Sequence, residues 1–379
     1  MDIEAIISNE FPQEDDLIYL NHAAVAPWPK RTSEAVRKFA GENTVIGAKK
    51  YPRWIATENL LREQIATLIN APSAADIALL KNTSEALSVV ANGIRWQEGE
   101  NIIGTDQEFP SNRIVWEVQQ KHGVEYRPVK ITDNSDPEAA LMVACDDNTR
   151  ILAVSSVQFG TGLRLDLEKL GEFCRVNDIL FCIDAIQSLG AFNINVEKIN
   201  ADFIMADAHK WLLGPEGIAL FYCRPDLRDQ LELQQYGWHM VQDSGNYDTT
   251  EWQVAESARR FECGSPNMLG IHAFSASLSL LLEIGIENIE RIILKNTNYL
   301  FELLKDIKDI EIISPDQKRL RSGIVTFKID DWDHAEIHRK LLDKKVICAH
   351  RGGGIRFSPH FYISQDKIKK AVELITIII

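Results

Sequence analysis

Two short stretches of this chain hold the residues best suited to chemistry. The run ILFCID ends at Asp184, with Gln187 three residues further on, and ADFIMADAHK ends at His209 and Lys210. RILAVSSV runs into Gln158, and Thr83 with Ser84 opens a helical pattern just after a strand-like one. A lysine can form a Schiff base with an aldehyde cofactor. A carboxylate can keep a pyridine nitrogen protonated, so that the ring accepts electrons from a carbanion. Asp184 fits the carboxylate role and Lys210 the Schiff-base role. A helix start offers free N–H groups and positive dipole, so Thr83 and Ser84 are candidates for a phosphate. Any one of these residues alone reads as a solvated loop position; the combination is far more specific.

The elements that must position them alternate between strand and helix from about residue 55 to 225. Asn59 to Ile69 reads as a helix, as do Glu85 to Asn92, Ile114 to His122 and Leu167 to Asn177. Between them lie short apolar runs: 76–80, NIIGT, VEYRPVK, RILAVSSV, ILFCIDA, ADFIMADA and GIALFYC. Such runs predict a mostly parallel sheet covered on both faces, with ligands beyond the carboxyl ends of its strands. After Gly264-Ser265-Pro266 a long helical region runs to about Lys308. It is followed by EIIS, GIVTFKI, a helix HAEIHRKLLDKK, VICAH, IRFSP and a last helix. That pattern predicts a smaller α+β unit. The expected division is a large domain over 16–265, with 1–15 and 266–379 forming the small one.

Composition narrows the class. The chain has 379 residues, 45% of them hydrophobic and 25% charged, as in an ordinary soluble protein of two domains. Lys and Arg number 41 against 55 Asp and Glu, a net charge of −14 that argues against a nucleic-acid partner. Acids come early in MDIEAIISNEFPQEDD, where an export signal needs a basic and then an apolar segment. No apolar run is long enough for a membrane span; Met268 to Ile286 comes nearest and reads as a core helix. The six cysteines form no CxxC pair, which with the acidic composition leads us to expect a reduced, cytoplasmic protein. His334 and His338 are four apart on a helix, but Ala335 stands where a metalloprotease helix needs Glu, so no metal site is expected.

The sequence resembles the class V aminotransferase-fold enzymes that depend on pyridoxal 5′-phosphate. This group includes cysteine desulfurases, selenocysteine lyases, isopenicillin-epimerase-like enzymes and kynureninase. The likeness runs from Tyr19-Leu-Asn-His-Ala-Ala to Arg356-Phe-Ser-Pro-His, and IDAIQS…ADAHKWLLGPEG carries it most strongly. It implies a fold-type I α/β transferase: a large domain with a mostly parallel seven-stranded sheet and a small α+β carboxyl-terminal domain. It implies that Lys210 carries the Schiff base and shuttles a proton. Asp184 pairs with the pyridine nitrogen, Gln187 bonds the ring oxygen, and Phe109 stacks on the ring where many relatives place His. Thr83 and Ser84 hold the phosphate, with His209 and Gln158 as further cofactor contacts. Ser265 reaches the phosphate of the other subunit, which implies a homodimer with shared active sites. Arg356 clamps the substrate α-carboxylate, a bidentate task suited to guanidinium. Asn21, His22 and Ala23 line the substrate side.

Plainer readings stand beside these. Phe109 is equally at home in a core, Thr83 as a helix cap, Arg356 in a surface ion pair, and His22 and His360 as structural histidines. Gly352-Gly353-Gly354 reads as a tight turn rather than a second phosphate cradle. Two positions depart from the desulfurase pattern. Asp207 stands where many relatives have Ser, and an ionised Asp beside a phosphate dianion is repelled. Group II desulfurases carry their persulfide on a cysteine in a loop reading roughly Arg-Thr-Gly-His-His-Cys. Here Cys348-Ala-His-Arg-Gly-Gly-Gly-Ile-Arg356 is shorter, and Cys348 lies in a strand-like run.

The expected function is therefore that of a PLP-dependent enzyme acting on a small α-amino acid through a Schiff base and a stabilised Cα carbanion. Aminotransferase and cysteine-desulfurase-like C–S lyase are the leading forms, with an amino-acid epimerase or a non-catalytic regulatory protein of the same fold as alternatives. A Rossmann dehydrogenase would need GxGxxG after the first strand, and none is present.

Overall fold

The computed structural model describes residues 2–132 and 136–379. Its chain order begins α1 (Ile3–Glu10), β1 (Ile18–Tyr19), α2 (Lys30–Ile46), α3 (Tyr51–Ile69), β2 (Ile77–Leu80), α4 (Thr83–Gly93) and β3 (Asn101–Thr105). Next come α5 (Ser111–Glu117), β4 (Glu125–Val129), α6 (Pro137–Ala144), β5 (Thr149–Ser155), α7 (Leu167–Val176), β6 (Leu180–Asp184), β7 (Phe203–Asp207) and β8 (Ala219–Cys223). The remainder is α8 (Met268–Ile284), α9 (Ile286–Lys305), β9 (Ile310–Ile312), β10 (Val325–Ile329), α10 (His334–Asp343), β11 (Val346–Ile347), β12 (Ala349–Arg351), β13 (Gly354–Phe357) and α11 (Gln365–Ile378).

The central sheet has seven strands in the order β2-β8-β7-β6-β5-β3-β4. Only β8 runs against its neighbours; the other pairings from β7 to β4 are parallel. The period of two along each strand sorts its side chains into two cores. Leu152, Val154, Phe181, Ile183, Ile204 and Ala206 join one cluster, while Ile151, Ala153, Cys182, Phe203 and Met205 join the other with α4. Each wholly buried Ile or Phe contributes about 1.5–3 kcal/mol of transfer free energy, which is why these strands read as unbroken apolar runs. The same alternation carries Asp184 and Asp207, the last residues of β6 and β7, onto the α4 face.

A second, antiparallel sheet runs β12-β13-β10-β9, and β1 pairs in parallel with β11. The long helical pattern after residue 266 is two helices, not one. Gly285, at φ 85°, breaks it, and the axes of α8 and α9 differ by 81°. No single described helix is long and apolar enough to cross a membrane; this bent pair is the one combination with that length and composition. Helix α8 packs on α2 and α3, while α9 packs on α11 and β9. The helix expected from Asn59 begins at Tyr51, and Leu60 in it is exposed. VICAH divides between β11, paired with β1, and β12, paired with β13.

Candidate active site

Asp184 lies level with Ser155 on β5 and Met205 on β7. Its side chain is buried, and its Oδ1 accepts the Ile186 N–H at 3.0 Å. Burial pushes this carboxyl up, opposed by the Ile186 N–H and by the charge of Lys210. Burial likewise pushes the Lys210 ammonium down, opposed by Asp184 and reinforced by the charge of Arg356. The two groups thus share one desolvated space at the strand ends.

A tight turn presents Lys210. Leu213 N–H donates to Lys210 O at 3.1 Å, and Gly214 N–H donates to Ala208 O at 2.8 Å. Leu213 takes a left-handed φ of 58°, a cost of order 1–3 kcal/mol that the buried surroundings sustain. Gly190 admits this turn: a Cβ there would lie 2.2 Å from Trp211 O. Phe109 follows β3 and brings its ring centroid to 5.6 Å from Lys210 Nζ. It meets Phe159 edge to face at 5.1 Å. Phe109 is half-buried beside Lys210 rather than enclosed in a core.

At the start of α4 the N-cap is Asn82, whose side chain accepts from Glu85 N–H. Thr83 is the first helical residue, which removes the cap reading. Its N–H donates to Asp207 Oδ1 at 2.7 Å, and its Oγ1 accepts from Asp207 N–H at 3.1 Å. Burial pushes Asp207 up to about 6. Ser84 is exposed and donates to Ser111 Oγ at 2.8 Å. His209 places Nδ1 3.5 Å from Asp207 Oδ2 without a hydrogen bond, and burial pushes it down to about 4. Ser265 is exposed and is not hydrogen-bonded to any of these groups within the protomer.

Arg356 on β13 is 0% exposed. Its Nη1 donates to Phe159 O at 2.6 Å, while Nε and Nη2 have no partner. Burial, and secondarily the charge of Arg351, pushes it down to about 10. Its burial excludes a surface ion pair. Asn21 Oδ1 and Gln158 Oε1 are also buried without partners. Gln158 Nε2 is anchored on Glu108 and on Ser155 O.

Three expected contacts are engaged elsewhere, in whole or in part. Gln187 accepts from Trp211 Nε1 at 3.0 Å and donates to Ala23 O at 3.0 Å, so a single amide hydrogen is left for a ligand. His22 is fully buried, with Nδ1 at 2.8 Å from Ser358 O and Nε2 at 2.6 Å from Tyr362 Oη. The first ring nitrogen is then the donor and the second the acceptor, so His22 offers nothing to a substrate and the expectation for it is corrected. Ala23 N–H is likewise held by Ser358 Oγ. His360 is structural in the same way, between Trp211 O and Phe361 N–H.

Sequence reasoning missed a buried charge cluster at Glu58, Arg62, His239 and Glu262. Ligand atoms of the two Glu and the His lie within 4.8 Å of one another, but Arg62 supplies the cation, at 2.5 Å from Glu58 and 2.6 Å from Glu262. The His334–His338 pair is spent on backbone groups, Ile329 N–H and Cys348 O. A cavity of about 900 Å³ lined by Tyr236, Trp238, Tyr247 and Trp252 contains none of the Lys210 cluster. Cys348 is buried and its thiol is pushed up to about 12.

The donors around Lys210 suit pyridoxal phosphate. A buried carboxylate holds one oxygen on a backbone N–H, an aromatic ring faces a desolvated amine, and a buried guanidinium has two free nitrogens. These supply a partner for a ring nitrogen, a face for a flat ring and a seat for a carboxylate.

Fold and site together define a fold-type I α/β enzyme. The sequence model "Aminotransferase class-V" matches residues 18–365. The chain belongs to the class V aminotransferase family, whose members are pyridoxal-phosphate-dependent enzymes. A probable cysteine desulfurase of Methanothermobacter thermautotrophicus is 29% identical, over 96% of this chain and 95% of its own. A cysteine desulfurase of Pectobacterium atrosepticum is 30% identical, over 89% and 83%. In fold, the cystine C–S lyase C-DES, solved with cysteine persulfide, superimposes with a TM-score of 0.88 at 21% identity, covering 97% of this chain and 99% of that one.

Proposed function

We propose that the protein is a pyridoxal-phosphate-dependent C–S lyase that cleaves a sulfur-bearing α-amino acid without a thiol of its own. The relatives named for sulfur chemistry support the substrate class. The observation that carries the reading is the placing of the cysteines. Cys348, nearest in sequence to Arg356, is buried with its thiol held protonated. Cys182, in the same strand as Asp184, is wholly enclosed. A desulfurase that stores sulfur on the enzyme needs an accessible, low-pKa cysteine; an eliminating lyase needs none.

Lys210 would hold the cofactor aldehyde, Asp184 its ring nitrogen, and Thr83, Ser84 and His209 its phosphate. Phe109 covers one ring face, while Gln187 and Gln158 border the rest. When bound, the cofactor supplies an electron sink for the pair left at Cα. Arg356 fixes the α-carboxylate through its free Nε and Nη2, beside Asn21 and Ala23. Once the substrate amine has displaced it from the aldehyde, the Lys210 amine, pushed towards neutrality by burial, would be the base placed for the Cα proton, since a base works best near the operating pH. The net change would be cleavage of the Cβ–S bond, the sulfur leaving with its electron pair and taking up a proton, and one water yielding pyruvate and ammonium. Two copies of this cytoplasmic chain form a homodimer, Ser265 of each completing the other's phosphate seat.

Purified holoenzyme incubated with cysteine, cystine and S-alkylcysteines tests the reading. Thiol or persulfide and pyruvate in equal amounts are expected. Amino groups retained as pyridoxamine phosphate, with no sulfur released, would establish a transaminase instead.

A further inference from the structure

Arg351 ends β12 in the hairpin that also carries Arg356. The register pairs Arg351 with Gly354 and Ala349 with Arg356. Side chains of paired residues, and of residues two apart, share a face. Arg351 and Arg356 therefore lie on one face of the hairpin as diagonal neighbours, about 7–8 Å apart at Cα. His350 leaves by the opposite face, where its ring lies 6.2 Å from that of His334. The arginine face is the one turned to the site: Arg356 bonds Phe159 O and Thr326, opposite it on β10, bonds Gly160 O at 2.6 Å.

The hairpin tip is closed down on the same segment. Gly352 has φ 66°, and a Cβ on it would lie 2.3 Å from Gly160 O. Only glycine lets the tip lie this close, and the closure sets Arg351 beside the 159–160 segment that Arg356 also bonds. There Arg351 is exposed and makes no hydrogen bond or ion pair with a described residue. Its charge is felt at both Lys210 and Arg356. Most arginines of this acidic chain are paired with carboxylates. One left bare beside a second, buried guanidinium implies an anion from outside.

We propose that Arg351 and Arg356 form a two-anion subsite, Arg356 taking the α-carboxylate and Arg351 a second carboxylate at the far end of the substrate side chain. The inference rests on the C–S lyase reading for the bond that is broken, but not for the binding geometry. The substrate class it names is a cysteine thioether or disulfide whose sulfur substituent ends in a carboxylate. Each guanidinium matches one carboxylate by paired N–H donors. The buried one sets the reacting end, and the exposed one selects among substituents.

The test compares S-(2-carboxyethyl)-L-cysteine with S-propyl-L-cysteine, which has similar shape without the charge. Holoenzyme should prefer the first by about tenfold in kcat/KM, the worth of a hydrogen-bonded charge. Arg351→Gln should remove that preference and leave the propyl substrate within about twofold, and Arg351→Lys should restore part of it. Equal turnover of both substrates by the parent, or an equal loss for both in Arg351→Gln, overturns the subsite. A second measurement needs no turnover: glutarate should raise the Tm of the parent holoenzyme more than butyrate does, and Arg351→Gln should erase the difference. If that difference is seen while neither thioether is cleaved, the lyase reading falls and the subsite stands. If glutarate and butyrate act alike on the parent, the subsite falls.

Discussion

Asp207 and Thr83 hold one another across the α4 start: the Thr83 N–H donates to Asp207 Oδ1 at 2.7 Å, and the Asp207 N–H donates to Thr83 Oγ1 at 3.1 Å. Burial pushes the Asp207 carboxyl up from 3.8 to about 6, against the Thr83 N–H and Lys210, with Glu216 adding to the rise. The folded protein then binds this proton more tightly than the unfolded chain. Its contribution to stability falls as pH rises from about 4 to 6 and stays lost above that. Asp207→Asn keeps an acceptor for the Thr83 N–H and removes the charge. In urea unfolding without cofactor, the variant should gain on the order of 1–2 kcal/mol over the parent at pH 7.5 and nothing at pH 4. A gain independent of pH refutes the assignment.

Lys210→Ala should abolish the visible absorption of a lysine-bound aldehyde and lower turnover by at least about 10³-fold. Replacing a buried, desolvated amine with a methyl should leave the fold intact, as circular dichroism will show. Retention of both absorption and activity would remove Lys210 from the mechanism.

Arg356 is a buried cation with two free nitrogens, so it weakens the empty protein and serves the bound state. Arg356→Gln should raise the unfolding free energy of the cofactor-free protein by about 1 kcal/mol or more. It should also raise KM for amino acids about a hundredfold. Stability and affinity moving in the same direction would contradict this role.

Cys348→Ala should keep activity within about threefold, because a thiol pushed up to about 12 is roughly 10⁻⁴ ionised at pH 8. Iodoacetamide should leave Cys348 unlabelled in the folded protein, as read by peptide mass. Loss of turnover in the variant would return the enzyme to the thiol-dependent desulfurases.

Arg62 bonds Glu58 at 2.5 Å and Glu262 at 2.6 Å, and Glu262 also accepts the Leu79 N–H at 2.8 Å. Arg62→Leu leaves two buried carboxylates without a cation and should cost about 3–5 kcal/mol. Glu262 stands three residues before Ser265, so limited proteolysis of the variant should open this segment first. Unchanged chemical denaturation would show that the cluster holds nothing in place.

Much of the site was legible in the sequence because it sits at the ends of apolar strands. Asp184 and Asp207 terminate unbroken apolar runs, and Lys210 follows three residues after the second. Phe109 was legible only through the family resemblance, since nothing in Glu-Phe-Pro-Ser distinguishes a site aromatic from a core one. Helix α2 went unread: its burial is supplied by α8, more than 200 residues away, and only Thr32 in it is buried. The break at Gly285 was hidden because apolar residues continue on both sides of it.

Local sequence settled the class of this protein: strand runs closed by polar residues, a Lys after a strand end, and an acidic composition that leaves few cations free. Tertiary structure decided which of those polar residues are available to a ligand. His22 is consumed by Tyr362 and Ser358, whereas Gln187 keeps one amide hydrogen beyond Trp211 and Ala23, and Thr83 keeps its hydroxyl hydrogen beyond Asp207. Arg356 and Arg351 remain unspent on any acidic partner. Hydrogen-bonding capacity is finite and short in reach. Whether a side chain has any left depends on neighbours brought within about 3 Å by the fold, and those neighbours stand up to 340 positions away in the chain.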